Sequence, residues 1–279
     1  MSTPKEKAEA FRQMHQTTPI LVLPNAWDVA SARIFASVGA RAIATSSAGV
    51  AFALGYPDGQ QIPRRLMIES IARIAASVEI PITADVESGY GPGVSDAVET
   101  AQAVIDSGAI GLNFEDATND PADPLFPVDQ QRKRLDAVRD AAERAGIPLV
   151  INARTDVFLA EVGEPRSRFA ETVRRVNAYR QSGADCLFVP GVTDADTIAR
   201  LVREITGPLN ILVGPGAPPI PVLESMGVRR VSVGSQIMRA TLATARDAAR
   251  ELLEKGTYRG FLDRTIPYAE LNGLMARGQ

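Results

Sequence analysis

A single histidine, a single cysteine and a single tryptophan stand in 279 residues. One cysteine, Cys186, excludes an internal disulfide and any Cys-cluster metal site, and it fits a reducing, cytoplasmic setting. One histidine, His15, in a polar N-terminal segment, excludes histidine triads and His-based zinc sites. Aromatic residues make up 5% of the chain. No run approaches the roughly 18 apolar residues of a membrane span, and the N-terminus has no apolar signal-peptide segment. Neither sign of charge dominates, because 30 Lys and Arg face 33 Asp and Glu for a formal −3. Without a concentrated basic stretch, nucleic acid and anionic membrane surfaces are not expected partners. Chemistry must therefore run on carboxylates, arginine, hydroxyls and backbone groups.

What is present is a repeat of short apolar runs, each followed by a segment of helical periodicity. The runs are Ile20–Pro24, Ala42–Ser46, Ile82–Val86, Ile110–Glu115, Leu149–Ala153, Cys186–Val189, Leu209–Val213 and Val231–Gly234. Eight βα units in this length predict an α/β fold, a closed (β/α)8 TIM barrel, with an open doubly wound sheet as the alternative. The entries to the runs carry their own punctuation. Gly39, Gly108, Gly183 and Gly227 sit where a helix would end in a left-handed residue. Pro81, Pro148 and Pro208 sit at strand starts, where a missing N–H does no harm. No linker or composition shift divides the chain, so residues 1–279 read as one barrel domain, with 238–279 a C-terminal helical extension. Within that extension Met238–Lys255 reads as a long Ala-rich helix and Gly256–Arg277 as one or two short ones.

In such a barrel the active site lies at the C-terminal ends of the strands. Side chains alternate along a strand, so Asp85 and Glu87 point the same way. Glu115 and Asp116 end the fourth run, Asp58 follows the second, and Arg154 and Asp156 end the fifth. Carboxylates gathered at one mouth need a cation among them, and an all-oxygen donor set selects a hard ion, Mg²⁺ or alternatively Mn²⁺. Such an ion can chelate a 2-oxo acid and stabilise an enolate, while Arg154 supplies a bidentate clamp for a carboxylate. Asp116 and Asp156 are the acids expected to serve structure, through loop or cap hydrogen bonds. The turn Thr45-Ser-Ser-Ala-Gly49 offers backbone and hydroxyl donors to an anion. Trp27 could wall the pocket or pack the first helix, and Asn25 could reach the site or cap that helix. Gly234-Ser235 could lead a helix N-terminus to an anion, and the loop Val213–Pro219 could line the pocket through its backbone. Cys186 reads as a core residue.

These residues resemble the isocitrate lyase / phosphoenolpyruvate mutase superfamily. The resemblance rests on Leu23-Pro-Asn-Ala-Trp-Asp28, Thr45-Ser-Ser-Ala with Leu54-Gly-Tyr-Pro-Asp58, Thr83-Ala-Asp-Val-Glu-Ser-Gly-Tyr-Gly91, Asn113-Phe-Glu-Asp116 and Asn152-Ala-Arg-Thr-Asp156. It spans nearly the whole chain, in order. It implies a (β/α)8 barrel whose last helix is exchanged between subunits of a homo-oligomer, dimer or tetramer, and a Mg²⁺-bound 2-oxo acid or enolate. Asp85 then resembles the direct metal ligand, and Glu87 and Glu115 resemble ligands acting through water. Asp58 resembles the acid near that water shell. Ser46, Ser47 and Ala48 resemble the substrate-carboxylate loop, and Arg154 the substrate-binding arginine.

The loop after the fourth strand departs from both branches of the superfamily. Lyases carry Lys-(Lys/Arg)-Cys-Gly-His there, and phosphonopyruvate-processing members carry Lys-Thr-Asn with a His after the sixth strand. This chain has Ala117-Thr-Asn-Asp-Pro-Ala-Asp-Pro-Leu-Phe-Pro127, and Val189-Pro-Gly191 at the second place. The thiol acid of isocitrate-type cleavage is missing. The inventory therefore points to a lyase or decarboxylase breaking a C–C bond in an oxaloacetate-like 2-oxo or 2-hydroxy acid through an enolate, protonated by metal-bound water or a tyrosine, with Tyr90 as the candidate. P–C bond chemistry on phosphonopyruvate is the alternative enzyme reading. A non-catalytic binder of 2-oxo acids is the alternative of a different class.

Overall fold

The computed structural model describes residues 3–276, so Arg277, the end of the last expected helical segment, lies outside the described residues. Among the described residues nine parallel strands run in the order β1-β9-β8-β7-β6-β5-β4-β3-β2. They are β1 (Leu21–Leu23), β2 (Asn25–Ala26), β3 (Ile43–Thr45), β4 (Ile82–Asp85), β5 (Gly111–Glu115), β6 (Val150–Arg154), β7 (Cys186–Val189), β8 (Leu209–Leu212) and β9 (Arg230–Ser232). All eight expected runs hold strands, and a second short strand, β2, follows the first run after Pro24. Pro24 has no N–H for the ladder, so β1 pairs only with β9 and β2 only with β3. The carbonyl of Pro24 still accepts from Ala44 N at 3.1 Å. Asn25 bridges the seam: its Nδ2 donates to Thr45 O at 2.9 Å, and its Oδ1 accepts from Val233 N and Gly234 N at 2.9 and 3.0 Å. Asn25 thus neither caps a helix nor enters the site, but closes the barrel.

Helices follow the strands as the punctuation predicts, and Gly39, Gly108, Gly183 and Gly227 have φ between 84° and 97°. The outer helices bury apolar stripes at helical spacing, such as Met67, Ile71 and Ile74 of α4 (Arg64–Ala76) and Ala97, Ala101 and Val104 of α5 (Val94–Asp106). They pack on the outward strand residues Leu112, Ile151, Ile211 and Val231 in one continuous core. The N-terminal end of the barrel is plugged by α1 (Pro4–Met14), whose Ala8 and Phe11 join Leu21, Leu23, Ala42, Ala44, Ile110 and Val150 in a second apolar cluster.

The inner faces of the strands carry many polar side chains beside the apolar Leu21, Leu23 and Ala44 of the plugged end. Thr83, Asp85, Asn113, Asn152, Asn210, Arg230 and Ser232 are all buried on strands whose neighbours are apolar. Register pairs Asp85 with Asn113, Asn113 with Asn152, and Asn210 with Arg230.

After β9 the chain forms α10 (Gln236–Arg250), of which only Met238 is buried, then a wide turn over Glu251–Lys255. Two short helices follow, α11 (Arg259–Leu262) and α12 (Tyr268–Ala276). The expected C-terminal helices are therefore present. The last packs on α2 (Val29–Ser37) of its own chain, where Arg33 donates to the carbonyls of Leu274 and Met275.

Candidate active site

At the C-terminal mouth the structure gathers Asp58, Asp85, Glu87 and Glu115 around Arg154 and Tyr90. Asp85, the last residue of β4, is anchored first. Its backbone N–H donates to Thr45 Oγ1 at 2.8 Å, and its Oδ2 accepts from Ser47 N and Ser47 Oγ at 3.0 and 2.9 Å. Its Oδ1 faces Asn113 Nδ2 at 3.5 Å. Ser46 caps α3 (Ser47–Ala53), accepting from Gly49 N at 3.1 Å. The expected anion turn thus spends Ser47 as a donor to Asp85 and Ser46 as an acceptor for its own helix, because the helix start brings Ser47 to a protein acceptor and Ser46 to the Gly49 amide. Ala48 and Asp58 line a cavity of about 750 Å³ shared with Phe52, Ser235, Arg239 and Arg246.

The loop that follows β4 is held in an unusual backbone shape. Glu87 and Tyr90 have φ of 52° and 61°, in the left-handed region, and Gly89 between them has φ 90°. A Cβ at Gly89 would stand 2.6 Å from the Phe114 ring, so only glycine fits there. Strain of this kind persists where neighbours over-determine it. Arg134 of α6 (Val128–Arg144) is the main clamp, with its guanidinium between the rings of Phe114 and Phe126, 4.8 and 4.3 Å from their centroids. It donates to the carbonyls of Ser88 and of Gly91, the latter at 2.8 Å. Gln60 adds a second hold, with Nε2 on Ser88 Oγ at 2.7 Å and Oε1 accepting from Tyr90 N at 2.6 Å.

The charges at the mouth oppose one another. Burial, then Asp85 and Asp58, pushes the Glu87 carboxyl up to about 8. Burial also raises Glu115 well above the usual carboxylate range, although Arg154 pulls the other way. Asp58 is raised by burial and by Asp85. The Tyr90 phenol is pushed up by burial and by the surrounding acids, Glu87 first, so it holds its proton, and its hydroxyl has no hydrogen-bond partner among the described residues.

Arg154 ends β6 and is largely engaged. Asp156 takes its Nε and Nη2 at 2.5 and 2.7 Å, and Glu115 takes Nη1 at 2.8 Å. The expected bidentate clamp on a substrate is therefore already closed on Asp156, since two residues along the loop bring that carboxylate back under the guanidinium. Only the remaining N–H groups of Arg154 can meet a ligand. Asp116 is a structural anchor as expected: fully buried, it accepts from Thr155 Oγ1, Tyr179 OH, Arg175 Nη1 and Asp156 N at 2.6 to 3.1 Å. Trp27 does not reach this mouth. It packs edge-on against Phe35 at 6.2 Å and lines a separate cavity with Ala53, Leu54 and Met275, because the chain turns into α2 directly after it. The Val213–Pro219 loop also lines a cavity of its own, with Gln236 and Ala240. Cys186 is buried on β7, its thiol pushed up to about 12 by burial, which makes it inert.

A divalent ion fits the donor chemistry of this mouth, which offers only hard oxygens and holds carboxylates that repel one another. Among the described residues no three acidic, His or Cys side chains stand close enough to hold an ion by themselves. The arrangement therefore suits a partly hydrated ion such as Mg²⁺, held through one or two carboxylates, better than a full protein cage. The loop between Asp116 and Pro127 folds on itself: Ala117 bridges Leu125, Thr118 N donates to Pro124 O at 3.0 Å, and Asn119 reaches Gly59, beside Asp58. Sequence reasoning missed Gln60, Arg134, Asn152 and Arg230. Asn152 was signalled by its place two residues before Arg154 on the same strand face, whereas Arg134 carried no local signal.

The chain resembles several known proteins along its length. The crystal structure of a protein from Burkholderia cenocepacia J2315 superposes with a TM-score of 0.91 at 36% identity, covering 98% of this chain and 96% of that one. The structure of 2,3-dimethylmalate lyase, a PEP mutase/isocitrate lyase superfamily member, superposes at 0.85 with 27% identity over 99% and 95%. An oxaloacetate decarboxylase of Pseudomonas fluorescens (strain SBW25) is 27% identical over 247 residues, 86% of this chain and 82% of its own. The phosphoenolpyruvate phosphomutase family model matches residues 11–253, and it is to that family, within the PEP mutase/isocitrate lyase superfamily, that this chain belongs.

Proposed function

We propose that this protein is a divalent-cation-dependent lyase that breaks a C–C bond in a small oxaloacetate-like 2-oxo or 2-hydroxy acid through an enolate. The observation that carries the reading is the buried hydroxyl of Tyr90, without a hydrogen-bond partner among the described residues, beside Asp58, Asp85, Glu87 and Glu115. Asp85 would hold Mg²⁺, or Mn²⁺ in its place, with Glu87 and Glu115 acting through water, and the ion when bound would supply positive charge beside the oxygens of the 2-oxo acid. The free N–H groups of Arg154 orient a substrate carboxylate. Ala48 and Asp58 bound the cavity in which the remainder of the substrate lies. In oxaloacetate the C3–C4 bond breaks, carbon dioxide leaves, and its bonding pair becomes the enolate. The Tyr90 hydroxyl then delivers a proton to C3, giving pyruvate, and the phenolate is reprotonated from solvent. This assignment supplies the acid that the loop 117–127, with no Cys, Lys or His, does not. The names of the oxaloacetate decarboxylase and 2,3-dimethylmalate lyase relatives agree with C–C cleavage.

The test is to incubate the protein with Mg²⁺ and, separately, oxaloacetate, 2,3-dimethylmalate and phosphonopyruvate, with Asp85→Ala as control for metal-promoted decarboxylation in solution. Pyruvate above that control, lost again in Tyr90→Phe, supports the reading. Phosphate from phosphonopyruvate would replace it with P–C chemistry, which the family match favours. Oxalate binding without turnover of any of the three would replace it with a 2-oxo acid binder.

A further inference from the structure

Arg230 is a fully buried arginine in the middle of the barrel, and nothing described so far gives it a task. It extends from β9 across the lumen. Its Nη2 donates to Asn113 Oδ1 on β5 at 3.1 Å, its Nη1 faces His15 Nε2 at 3.4 Å, and its Nε has no partner among the described residues. No carboxylate lies within ion-pair distance of it among the described residues, a condition it shares with buried Arg134, whereas Arg154 and Arg175 each pair with two. A buried cation without such a partner is costly, and replacing it by an apolar side chain of similar length is commonly neutral or stabilising. Its contacts lead toward the mouth. Asn113 Oδ1 receives two donors, Arg230 Nη2 and, at 2.7 Å, Asn152 Nδ2. Those donors fix which end of the Asn113 amide is oxygen, so its Nδ2 must face Asp85 Oδ1.

We propose that Arg230 is a positioning residue that orients Asp85 through Asn113, and with it the site for the divalent ion. It touches neither substrate nor ion. It locks the amide that braces one oxygen of Asp85, while Ser47 braces the other. The inference rests on the reading of Asp85 as a holder of the ion.

The two roles open to a buried cation under a cation site differ in sign. Charge alone repels the ion, so its removal would tighten binding; orientation through Asn113 favours the ion, so its removal weakens binding. Mn²⁺ alone serves as probe, with the free ion followed by electron paramagnetic resonance, beside a thermal melt of each variant. Arg230→Met is expected to weaken Mn²⁺ binding about tenfold, the lower end of what partners of metal ligands contribute. Its melting temperature should be equal or higher. Asn113→Ala should weaken Mn²⁺ to a similar degree, and the double variant should bind no worse than Asn113→Ala, because both changes act through one contact. Arg230→Lys, which keeps the charge but not the fork, covers the case in which the Met variant fails to fold and should also weaken binding. Unchanged or tighter Mn²⁺ binding in Arg230→Met, additive effects in the double variant, or affinity lost only in step with melting temperature would overturn the proposal. Absence of Mn²⁺ binding by the unsubstituted protein would instead overturn the reading of Asp85 on which it rests.

Discussion

His15 makes the sealed end of the barrel sensitive to acid, and the size of the effect follows from its surroundings. The ring sits at the end of α1, edge-on to Phe11 at 4.8 Å, with Nδ1 2.8 Å from Phe11 O and Nε2 toward Arg230. A carbonyl on one side and a guanidinium on the other select the neutral tautomer that carries its proton on Nδ1. Burial first, and then Arg230, push its pKa down to about 3. In the unfolded chain the ordinary value is about 6.5, so below that pH the unfolded state binds a proton that the folded state refuses. Stability is therefore unaffected above about pH 6.5 and falls as the pH drops from there toward 3, by about 2 kcal/mol at pH 5 and about 5 kcal/mol at the acid limit. Denaturant midpoints and slopes for the protein and for His15→Gln, measured at pH 7.5, 6 and 5, isolate this contribution from every other titrating group. The stability difference between the two proteins should move by about 2 kcal/mol over that range, in favour of the variant at acid pH. A difference that stays constant with pH would refute the argument, and would mean that the folded barrel protonates this ring as readily as water does.

Two further outcomes follow from other parts of the structure. Asp116→Ala leaves Arg175 with Glu171 alone and strips the buried Thr155 and Tyr179 hydroxyls of their acceptor, so it should cost about 3–5 kcal/mol, read as a lower denaturation midpoint, while Asp116→Asn should cost less. Glu87→Gly relieves a left-handed backbone position and removes a buried acid, so stability should rise by about 1 kcal/mol, roughly 2 °C in melting temperature, while divalent-ion binding and turnover fall; a variant no more stable than the parent would show that the loop carries no strain at that residue.

The architecture was legible because glycine and proline mark the turns on every side of the sheet, and each expected run became a strand. The mouth was legible because Asp85, Glu115 and Arg154 end their strands. Misreadings came where the partner of a residue is set by the path of the folded chain rather than by spacing. Asn25 read as a site residue or a helix cap, yet its partners are Thr45, Val233 and Gly234, brought together by the break at Pro24. Arg154 looked free for a substrate because nothing in Asn152-Ala-Arg-Thr-Asp156 tells that the loop returns Asp156 beneath it. The lumen could have been found by inverting the usual rule. In Leu112-Asn-Phe114, Ile151-Asn-Ala153 and Val228-Arg-Arg-Val231 the polar residue of the alternation faces inward, and the apolar one meets the helices. Sequence alternation gives the period but not which face is the core, so nothing in the sequence singled out Arg230.

The seam at Pro24 has a consequence for incomplete chains. Strand β1 finds its backbone partner only in β9, at the far end of the sequence, and the side chain of Asn25 is satisfied only once Val233 and Gly234 arrive. Any nascent or truncated chain that stops short of Arg230 is therefore an open sheet with two unpaired edges and a polar trough where the lumen should be. Unpaired parallel edges invite pairing with other chains. Ribosomal stalling or proteolysis in the last fifth of the barrel would thus yield material that sticks to itself, rather than a smaller working protein.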